Sequence, residues 1–309
     1  MYLEHFGLRE FPFSLTPDTS FFFACSHYQE ALNVLLVAAR SGEGFIKIVG
    51  EVGNGKTLLC RKFLSVLNSS AVATDTGAAP AKFVTAYIPN PYLEPRSLLL
   101  ALASEFRIEC DSAIDQHQLL KVLTLALLGF AREGKRVLVC LDEAQAMPLE
   151  SIEVLRLLTN LETEKRKLMQ VVLFGQQELD EHLKHQSVRQ LRQRISFQYE
   201  LKGVLRKELD RYLRHRLQVA GYRGETLFLP ASVALLYRVT GGTPRLVNII
   251  AHKALLLAYG EGRQQILARH VRAAAADTPE ARKDWMVWVW GAATAAMLLT
   301  LPLLGAWLR

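Results

Sequence analysis

Apolar runs of strand length alternate with helical patterns along the first two thirds of the chain. Each run is bounded by turn residues and followed by a segment whose apolar residues recur at helical spacing. The predicted strands are 45–49, 82–88, 137–141, 170–174 and 195–201. The predicted helices are 27–40, 98–106, 118–131, 151–162 and 178–194, with one more directly after residue 57. This alternation predicts an α/β fold with a three-layer αβα arrangement and a parallel sheet of about five strands.

The pattern changes after residue 205, where the apolar residues follow helical spacing alone. The predicted helices in this part are 206–220, 231–240, 244–259 and 268–276. They are short and close together, and no strand pattern lies between them. The sequence therefore predicts a small helical domain after the sheet.

The loop between the first strand and its helix carries the strongest chemical signal. Residues 50–57 read GEVGNGKT and match G-x-x-x-x-G-K-[ST] between a strand and a helix, as a phosphate-binding loop requires. The glycines let main-chain N–H groups turn inward, and the positive end of the following helix attracts an anion. Lys56 is expected to reach the β- and γ-phosphates, and the Thr57 hydroxyl to bind Mg²⁺. A chance glycine-rich turn is the alternative.

A nucleoside triphosphate site is therefore predicted at this loop. Its expected binding residues are Gly50, Glu51, Val52, Gly53, Asn54, Gly55, Lys56, Thr57 and Leu58. The phenylalanine-rich residues 1–44 lie just upstream and are expected to wrap the site, with some rings walling the adenine. An ordinary core cluster is the other interpretation of those rings.

Two carboxylates follow the apolar run 137–141. In a parallel sheet the carboxyl ends of the strands face the ligand crevice, so Asp142 is expected to hold Mg²⁺. Glu143 is expected to polarise the attacking water, which hydrolysis requires and mere binding does not. Two acids at a solvated strand end would be the simpler explanation.

A second apolar strand, 170–174, leads to a pair of amide side chains. An amide between the magnesium site and the γ-phosphate can help to place the attacking water. Gln176 is the first candidate for this role and Gln177 the second. A polar turn at the strand end is the alternative.

Arginines occupy the end of the predicted helix 178–194. An arginine just before the last strand can reach the γ-phosphate of a neighbouring subunit and neutralise charge in the transition state. Arg194 is the first candidate, Arg192 follows, and Arg189 is the third. Such runs are more often a solvated basic helix face.

One arginine in the helical domain has a comparable position. Residues 241–245 read GGTPR, in which Pro244 suits the first position of a helix. Arg245 is then expected to point from the helix start towards the γ-phosphate. A structural salt bridge is the alternative.

The last segment is apolar throughout. Residues 285–308 contain no charge, and about 20 apolar residues suffice to cross a bilayer. All four tryptophans lie here, three near one end and Trp307 at the other, as interfacial belts require. Arg282 and Lys283 precede the segment, which indicates that the preceding domains stay in the cytoplasm. A buried soluble helix is the competing interpretation.

Composition adds little to these signals. The 309 residues carry a net charge of +7, which could serve nucleic acid, anionic lipid or nucleotide phosphates. The four cysteines show no C-x-x-C pairing, so free thiols in a reducing compartment are expected. The N-terminus lacks the basic and apolar regions of a cleavable signal peptide.

Taken together, these stretches resemble an AAA+ ATPase, and more narrowly the general secretion pathway protein A family with its close relatives, the MSHA pilus biogenesis ATPases. The resemblance lies in six stretches: YLEHFGLREFPFSLTPD (2–18), GEGFIKIVGEVGNGKT (42–57), CLDEAQ (140–145), LRLLTNLETEKRKLMQVVLFGQQELD (155–180), RQLRQRISFQYEL (189–201) and GGTPRLVNIIAHKALLLAYG (241–260). Two features depart from the family. The small-residue loop around 74–80 looks like an insertion, and the long forms continue past their membrane helix into a peptidoglycan-binding domain.

The resemblance implies roles for the residues already singled out. Lys56 corresponds to the Walker A lysine, and Asp142 and Glu143 correspond to the Walker B pair. Gln176 and Arg245 correspond to sensors, and an arginine near Arg194 bridges subunits. The resemblance also implies ATP and Mg²⁺, a ring-like homo-oligomer, and work on the cell envelope.

The sequence is therefore interpreted as a membrane-tethered ATPase of the AAA+ P-loop class. The expected parts are a segment 1–44, a nucleotide-binding domain 45–203, a helical lid 204–278 and a transmembrane helix 285–308. We expect a single-pass protein of the inner membrane whose ATPase domain lies in the cytoplasm. Its partners would be the assembly or secretion proteins of an envelope machine, an MSHA-type type IV pilus or a type II secretion system, and no nucleic acid.

Two other functions stay open at this stage. A DNA-handling ATPase of the transposition-regulator kind shares the core motifs, and the basic helix around 206–216 favours it. A scaffold that binds ATP without turnover is less favoured, because Asp142 and Glu143 are both present.

Overall fold

The computed structural model describes residues 2–69, 82–111, 113–163 and 166–281. The chain forms two compact units. One comprises residues 17–202, and the other comprises the first sixteen residues together with the described residues from Gly203 onward. The predicted insertion around 74–80 and the predicted span 285–308 lie outside the described residues. Among the residues that are described, no helix combines the length and the apolar character needed to cross a bilayer.

The first unit is built on a parallel sheet of five strands, as predicted. The strands are β1 Phe45–Val49, β2 Phe83–Ile88, β3 Arg136–Leu141, β4 Met169–Gly175 and β5 Ile195–Glu200, and their spatial order is β2-β3-β4-β1-β5. Val49 pairs with Gly175 on one side and with Glu200 on the other. Because all neighbouring pairs are parallel, the carboxyl ends of the strands lie along one edge.

Helices cover both faces of this sheet. They are α2 Ser26–Ser41, α3 Lys56–Ser69, α4 Pro95–Glu105, α5 Gln116–Arg132, α6 Leu149–Thr159, α7 Glu178–His182 and α8 Arg189–Arg192, after a first short helix α1 Tyr2–His5 in the other unit. Alternate residues of a strand enter different cores: Ile46 and Ile48 pack with α2 and α3, whereas Phe45 and Val49 join the core that includes α4 to α8. This is the predicted three-layer arrangement.

The predicted helix 178–194 is wrong as a single element. The structure has α7, a 3-10 turn at Gln186–Val188, and α8. The buried apolar residues explain the break. Five residues separate Leu183 from Val188, both buried, and five residues turn a continuous helix by about 140° beyond a full turn. The chain therefore has to break to bury both side chains on the same side.

Two smaller differences lie nearby. Helix α6 ends at Thr159, before the predicted limit at 162. A short antiparallel pair of strands, Glu162–Thr163 with Arg166–Lys167, follows it and had no counterpart in the predicted elements.

The four cysteines are free thiols, as predicted, and three of them are buried.

The second unit contains helices, as the spacing after residue 205 predicted. They are α9 Leu209–Val219, α10 Pro230–Thr240, α11 Pro244–Gly260 and α12 Ala268–Ala276. The first sixteen residues of the chain pack with them. The Tyr2 hydroxyl lies 3.0 Å from Nδ1 of His252, and the Arg9 main-chain N–H donates to the Ala220 carbonyl at 2.8 Å.

The segment 1–44, predicted to wrap the nucleotide site, is divided between the units. Phe6 and Phe13 are buried in the helical unit, where the Phe13 ring meets Phe228 edge to face. Residues from 17 onward belong to the sheet unit. Their aromatic residues, Phe22 and Tyr28, pack against each other close to the loop described next.

Candidate functional site

The phosphate-binding loop joins β1 to α3 at the carboxyl edge of the sheet. Gly53 and Gly55 have φ angles of 85° and 77°, in the left-handed region that favours glycine. Helix α3 begins at Lys56, so its first turn contains Lys56, Thr57 and Leu58. The Leu59 N–H donates to the Gly55 carbonyl at 3.0 Å and closes that turn. Glu51 and Val52 form the exposed crest of the loop.

Residues outside the loop hold it in place. The Tyr28 hydroxyl donates to the Asn54 carbonyl, and the Asn54 side-chain amide donates to the Leu201 carbonyl at 3.0 Å. A Cβ atom on Gly50 would lie only 2.6 Å from that same Leu201 oxygen, so this position has no room for a side chain. Both ends of the loop therefore rest on the residue that follows β5.

Lys56 is buried under the loop, with 5% of its surface exposed. Its Nζ donates to the carbonyls of Gly50 at 2.8 Å and Glu51 at 3.1 Å. Burial lowers the pKa of the Lys56 ammonium, and the negative charges of Glu143, Asp142 and Glu178 oppose that shift. The ammonium is thus placed among carbonyls and acids, where the oxygens of a triphosphate can replace the two carbonyl acceptors.

Thr57 and Asp142 meet as a metal site requires. The Thr57 hydroxyl donates to Oδ2 of Asp142 at 2.6 Å, and the Tyr87 hydroxyl lies 3.3 Å from the same oxygen. A hydroxyl and a carboxylate are the hard oxygen ligands that Mg²⁺ takes together with phosphates and water. The residues present therefore fit Mg²⁺, which would be held by Thr57 and Asp142.

Burial shifts the pKa values of Asp142 and of Tyr87, the tyrosine beside it. Burial raises the pKa of Asp142, and the hydrogen bond from Thr57 opposes the rise. Burial and the Asp142 charge together raise the pKa of Tyr87 to about 12. The Tyr87 hydroxyl therefore keeps its proton and acts as a donor to Asp142.

Glu143 stands beside Asp142 in an unusual backbone conformation. Its φ of 53° is left-handed, one of two such values among the described residues other than glycine. Oε2 of Glu143 accepts from the side-chain amides of Gln145 at 2.5 Å and Gln176 at 3.1 Å. The structure thus brings together Glu143 and Gln176, two of the predicted site residues, and adds Gln145 to them.

The three candidate arginines lie away from this edge. Ile195 pairs with Phe45, the first residue of β1, so Arg194 lies at the amino edge of the sheet. Five residues of strand span about 16 Å, which separates Arg194 from the phosphate loop of its own chain. The side chains of Arg189, Arg192 and Arg194 make no hydrogen bond or ion pair with the part of the chain that the structure describes.

Gln177 and Arg245 are the two remaining candidates. Gln177 is exposed and precedes α7, whereas its neighbour Gln176 bonds to Glu143. Arg245 is exposed in the first turn of α11, in the helical unit. Its role towards the nucleotide stays a prediction.

Sequence reasoning missed four residues of the site. They are Tyr28, Tyr87, Gln145 and Glu178. Gln145 could have been suspected from its place two residues after Glu143, and Tyr87 from its place at the end of the strand next to β3. Tyr28 and Glu178 approach the loop through the fold, and no local pattern marks them.

We predict that Asp142→Asn stabilises the protein in the absence of Mg²⁺. The folded state raises the pKa of this carboxyl, so ionisation at neutral pH opposes folding, and an amide removes that penalty. The Tm at pH 7 in a chelator should rise. The gain should grow as the pH increases through the folded pKa and vanish below about pH 4, where the acid is protonated in both states. Asp115→Asn, at an exposed helix cap, is the control, and a Tm equal to or below that of the wild type would contradict the prediction.

Comparison with known proteins supports the fold first. Cdc6p from Pyrobaculum aerophilum superposes with a TM-score of 0.61 at 17% identity, covering 86% of this chain and 70% of that one. The Drosophila ORC bound to DNA gives 0.63 at 18% identity, covering 86% and 65%. The ORC2 protein of Aeropyrum pernix, in its complexes with ADPNP and ADP, gives 0.55 at 21%, covering 80% and 66%. At these identities the likeness extends to the fold alone.

Sequence comparison goes further. Residues 39–183 match the model of the AAA domain family. General secretion pathway protein A of Aeromonas hydrophila is 38% identical over 301 residues, which cover 97% of this chain. The chain spans only 53% of that relative. The predicted resemblance to general secretion pathway protein A is confirmed over nearly the whole chain, and residues 39–183 of the chain are similar to an AAA domain.

Proposed function

We propose that this chain binds ATP with Mg²⁺ at the phosphate loop and hydrolyses it to drive or license assembly of an envelope machine. One observation carries the hydrolytic part: Lys56, the Thr57–Asp142 pair and the amide-bound Glu143 converge on a single edge of the sheet. Binding alone requires the lysine and the metal ligands. Hydrolysis additionally requires a base that can take a proton from water.

The arrangement supports an in-line displacement. Lys56 would exchange its bonds to Gly50 and Glu51 for the β- and γ-phosphate oxygens. Mg²⁺ would neutralise charge on those oxygens. A water attacks the γ-phosphorus as the bond to the bridging oxygen breaks, ADP leaves with that oxygen, and the Glu143 carboxylate accepts the proton of the water.

One oxygen of Glu143 is suited to this task. Both amide donors, Gln145 and Gln176, bond to Oε2. No group in the described stretches of the chain donates to Oε1, and the side chain is only half-buried. Oε1 is therefore the atom that we assign to the attacking water, with Gln176 placing the water from the neighbouring strand end.

A second subunit is proposed to complete the site. Arg194 lies at the opposite edge of its own sheet, which suits a role in the site of a neighbour in a ring-like homo-oligomer. Arg245, at the start of α11, is proposed to contact the γ-phosphate from the helical unit, which would act as the lid. Both arginines have charged heads without partners among the described residues.

The envelope role rests on relatedness and on the tail. The relative from Aeromonas hydrophila is named for the general secretion pathway. Residues 285–308 are uncharged and apolar with tryptophans at both ends, so we propose that they anchor the chain in the inner membrane with the ATPase in the cytoplasm. An MSHA-type pilus or a type II secretion system is the machine proposed.

The alternative is a DNA-handling ATPase of the transposition-regulator kind. One of the structures with a similar fold is of an ORC bound to DNA, and α9 carries several arginines. One of those arginines is not available to DNA, because Arg216 is buried and donates to the Pro12 carbonyl at 2.6 Å, whereas Arg214 is exposed and pairs with Asp210 at 2.9 Å. DNA binding that weakens steeply with salt would favour this alternative.

We predict that Glu143→Gln keeps ATP affinity and loses turnover. The amide is isosteric but cannot accept a proton, so kcat should fall by about 10²–10⁴-fold. Lys56→Ala should instead lose binding, because the described residues include no other buried cation beside the loop. Equilibrium binding of a fluorescent ATP analogue and phosphate release measure the two effects. Glu150→Gln and Lys121→Ala, both exposed in the same unit, are the controls, and undiminished hydrolysis by Glu143→Gln would remove Glu143 from this role.

Mixing two inactive variants tests the bridging arginine. Arg194→Ala should bind ATP but hydrolyse it slowly, and Lys56→Ala should not bind ATP but still offers an intact Arg194. If Arg194 acts in the neighbouring site, the mixture should recover activity that neither variant has alone. Arg192→Ala mixed in the same way is the comparison. Recovery only with Arg192→Ala would move the assignment to Arg192, and no recovery with either would contradict an arginine donated between subunits.

The membrane anchor is tested by placing charge at the middle of the tail. Each arginine at the centre of a span costs about 2.5–3.5 kcal/mol, so Ala296→Arg with Leu299→Arg should release the protein from membranes. Fractionation after a high-salt wash provides the measurement. Leu157→Arg, at an exposed position of α6, is the control and should stay in the membrane fraction. Retention of the double variant in the membrane would contradict a spanning tail.

A further inference from the structure

The Gln145 side chain joins two parts of the site that are distant in sequence. Its Nε2 donates to Oε2 of Glu143 at 2.5 Å, and its Oε1 accepts from the main-chain N–H of Gln176 at 3.0 Å. An amide has one donating and one accepting end, and here each end meets its complement. Turning the amide over would place two acceptors together at Glu143 and two donors together at Gln176. The partners therefore fix the orientation of the amide.

The strand end is shaped to receive this amide. Gly175 is the last residue of β4, and a Cβ atom placed there would lie 3.3 Å from Oε1 of Gln145 and 2.7 Å from Cδ2 of Leu179. A side chain at 175 would thus displace the amide or the helix beside it. The amide bridges β3 and β4 at the point where both strands end.

The two amides on Glu143 differ in what else they do. The Gln176 side chain is the one proposed to face the γ-phosphate, so it has to leave or share its bond to Glu143 when nucleotide arrives. The bond between Gln145 and Gln176 involves the main chain of Gln176, which does not move with that side chain. Gln145 can therefore keep its hydrogen bond to Glu143 while the side chain of Gln176 turns to the substrate.

Glu143 needs such support. Its left-handed backbone leaves the side chain at the start of a 3-10 turn, Ala144–Ala146, and outside any regular helix or strand. A carboxylate that has to sit within hydrogen-bond reach of an attacking water loses rate steeply when it is misplaced. With Oε2 held by an amide, Oε1 stays turned to the water.

We propose that Gln145 is the positioning residue for Glu143, fixing its carboxylate to the end of β4 through the Gln176 main chain. This inference rests on the proposed hydrolysis and names a residue that acts through the base. Gln145 makes no bond to the phosphate loop or to Lys56 among the described residues, so nucleotide affinity should not depend on it.

Gln145→Ala tests the proposal through a split between rate and affinity. We expect kcat to fall about 10–100-fold, as expected for a group displaced by about 1 Å, with the Kd of a fluorescent ATP analogue changed less than about 3-fold. Gln145→Glu keeps the length and the acceptor for the Gln176 N–H but replaces the donor with a like charge, and it should lose rate as well. Gln118→Ala, an exposed amide on α5, should match the wild type in kcat, Kd and Tm.

A double-mutant cycle separates positioning from support of the fold. If Gln145 acts through Glu143, Gln145→Ala should remove no further activity from Glu143→Gln, whereas two independent effects would multiply. A wild-type kcat for Gln145→Ala would overturn the proposal. So would a fall in Tm and nucleotide affinity that parallels the loss of rate. Full turnover by Glu143→Gln alone would instead refute the proposed function, so the two failures are distinguishable.

Discussion

The parallel pairing of β1 with β4 and β5 is the constraint on which the site depends. A loop that cradles phosphates can form after any strand, but its partners have to reach the same edge. The registers of Val49 with Gly175 and of Leu141 with Leu173 bring the ends of three strands within two residues of one another. Lys56, the Asp142–Glu143 pair and the Gln176 amide are thus placed by the main-chain hydrogen bonds of the sheet. A slip of one residue in any register would turn alternate side chains to the other face of the sheet.

Charge is then concentrated at that edge at a cost in stability. Lys56 and Asp142 are both almost fully buried, and burial disfavours the charged form of each. Carbonyls satisfy the ammonium, and two hydroxyls satisfy the carboxylate. Under the proposed function, a phosphate oxygen or a metal ion would take the place of these partners. The arrangement is therefore preorganised: much of the desolvation that a bound triphosphate requires has already occurred on folding.

The local sequence predicted the parts of the site that are contiguous. Gly50 to Thr57, Asp142 with Glu143, and Gln176 each follow a recognisable strand, and each lies where a strand end was predicted. Two of the four residues that the sequence did not reveal come to the site only by tertiary contact. Tyr28 reaches the loop from α2, and Glu178 approaches Lys56 from α7. The predicted helix 178–194 failed for a related reason, since the core required Leu183 and Val188 on one side.

The same distinction applies to Arg194 and Arg245. Helical spacing and a proline at a helix start located them along the chain, yet the partners proposed for them lie in another subunit or another unit, where sequence pattern gives no distance. Leu201 shows what the fold adds at such a place. It receives the Asn54 amide, lies against Gly50, and pairs with Val49 through its own N–H, and the chain leaves the sheet unit one residue later. Leu201 can thus hold both ends of the nucleotide loop because β5 ends directly before it.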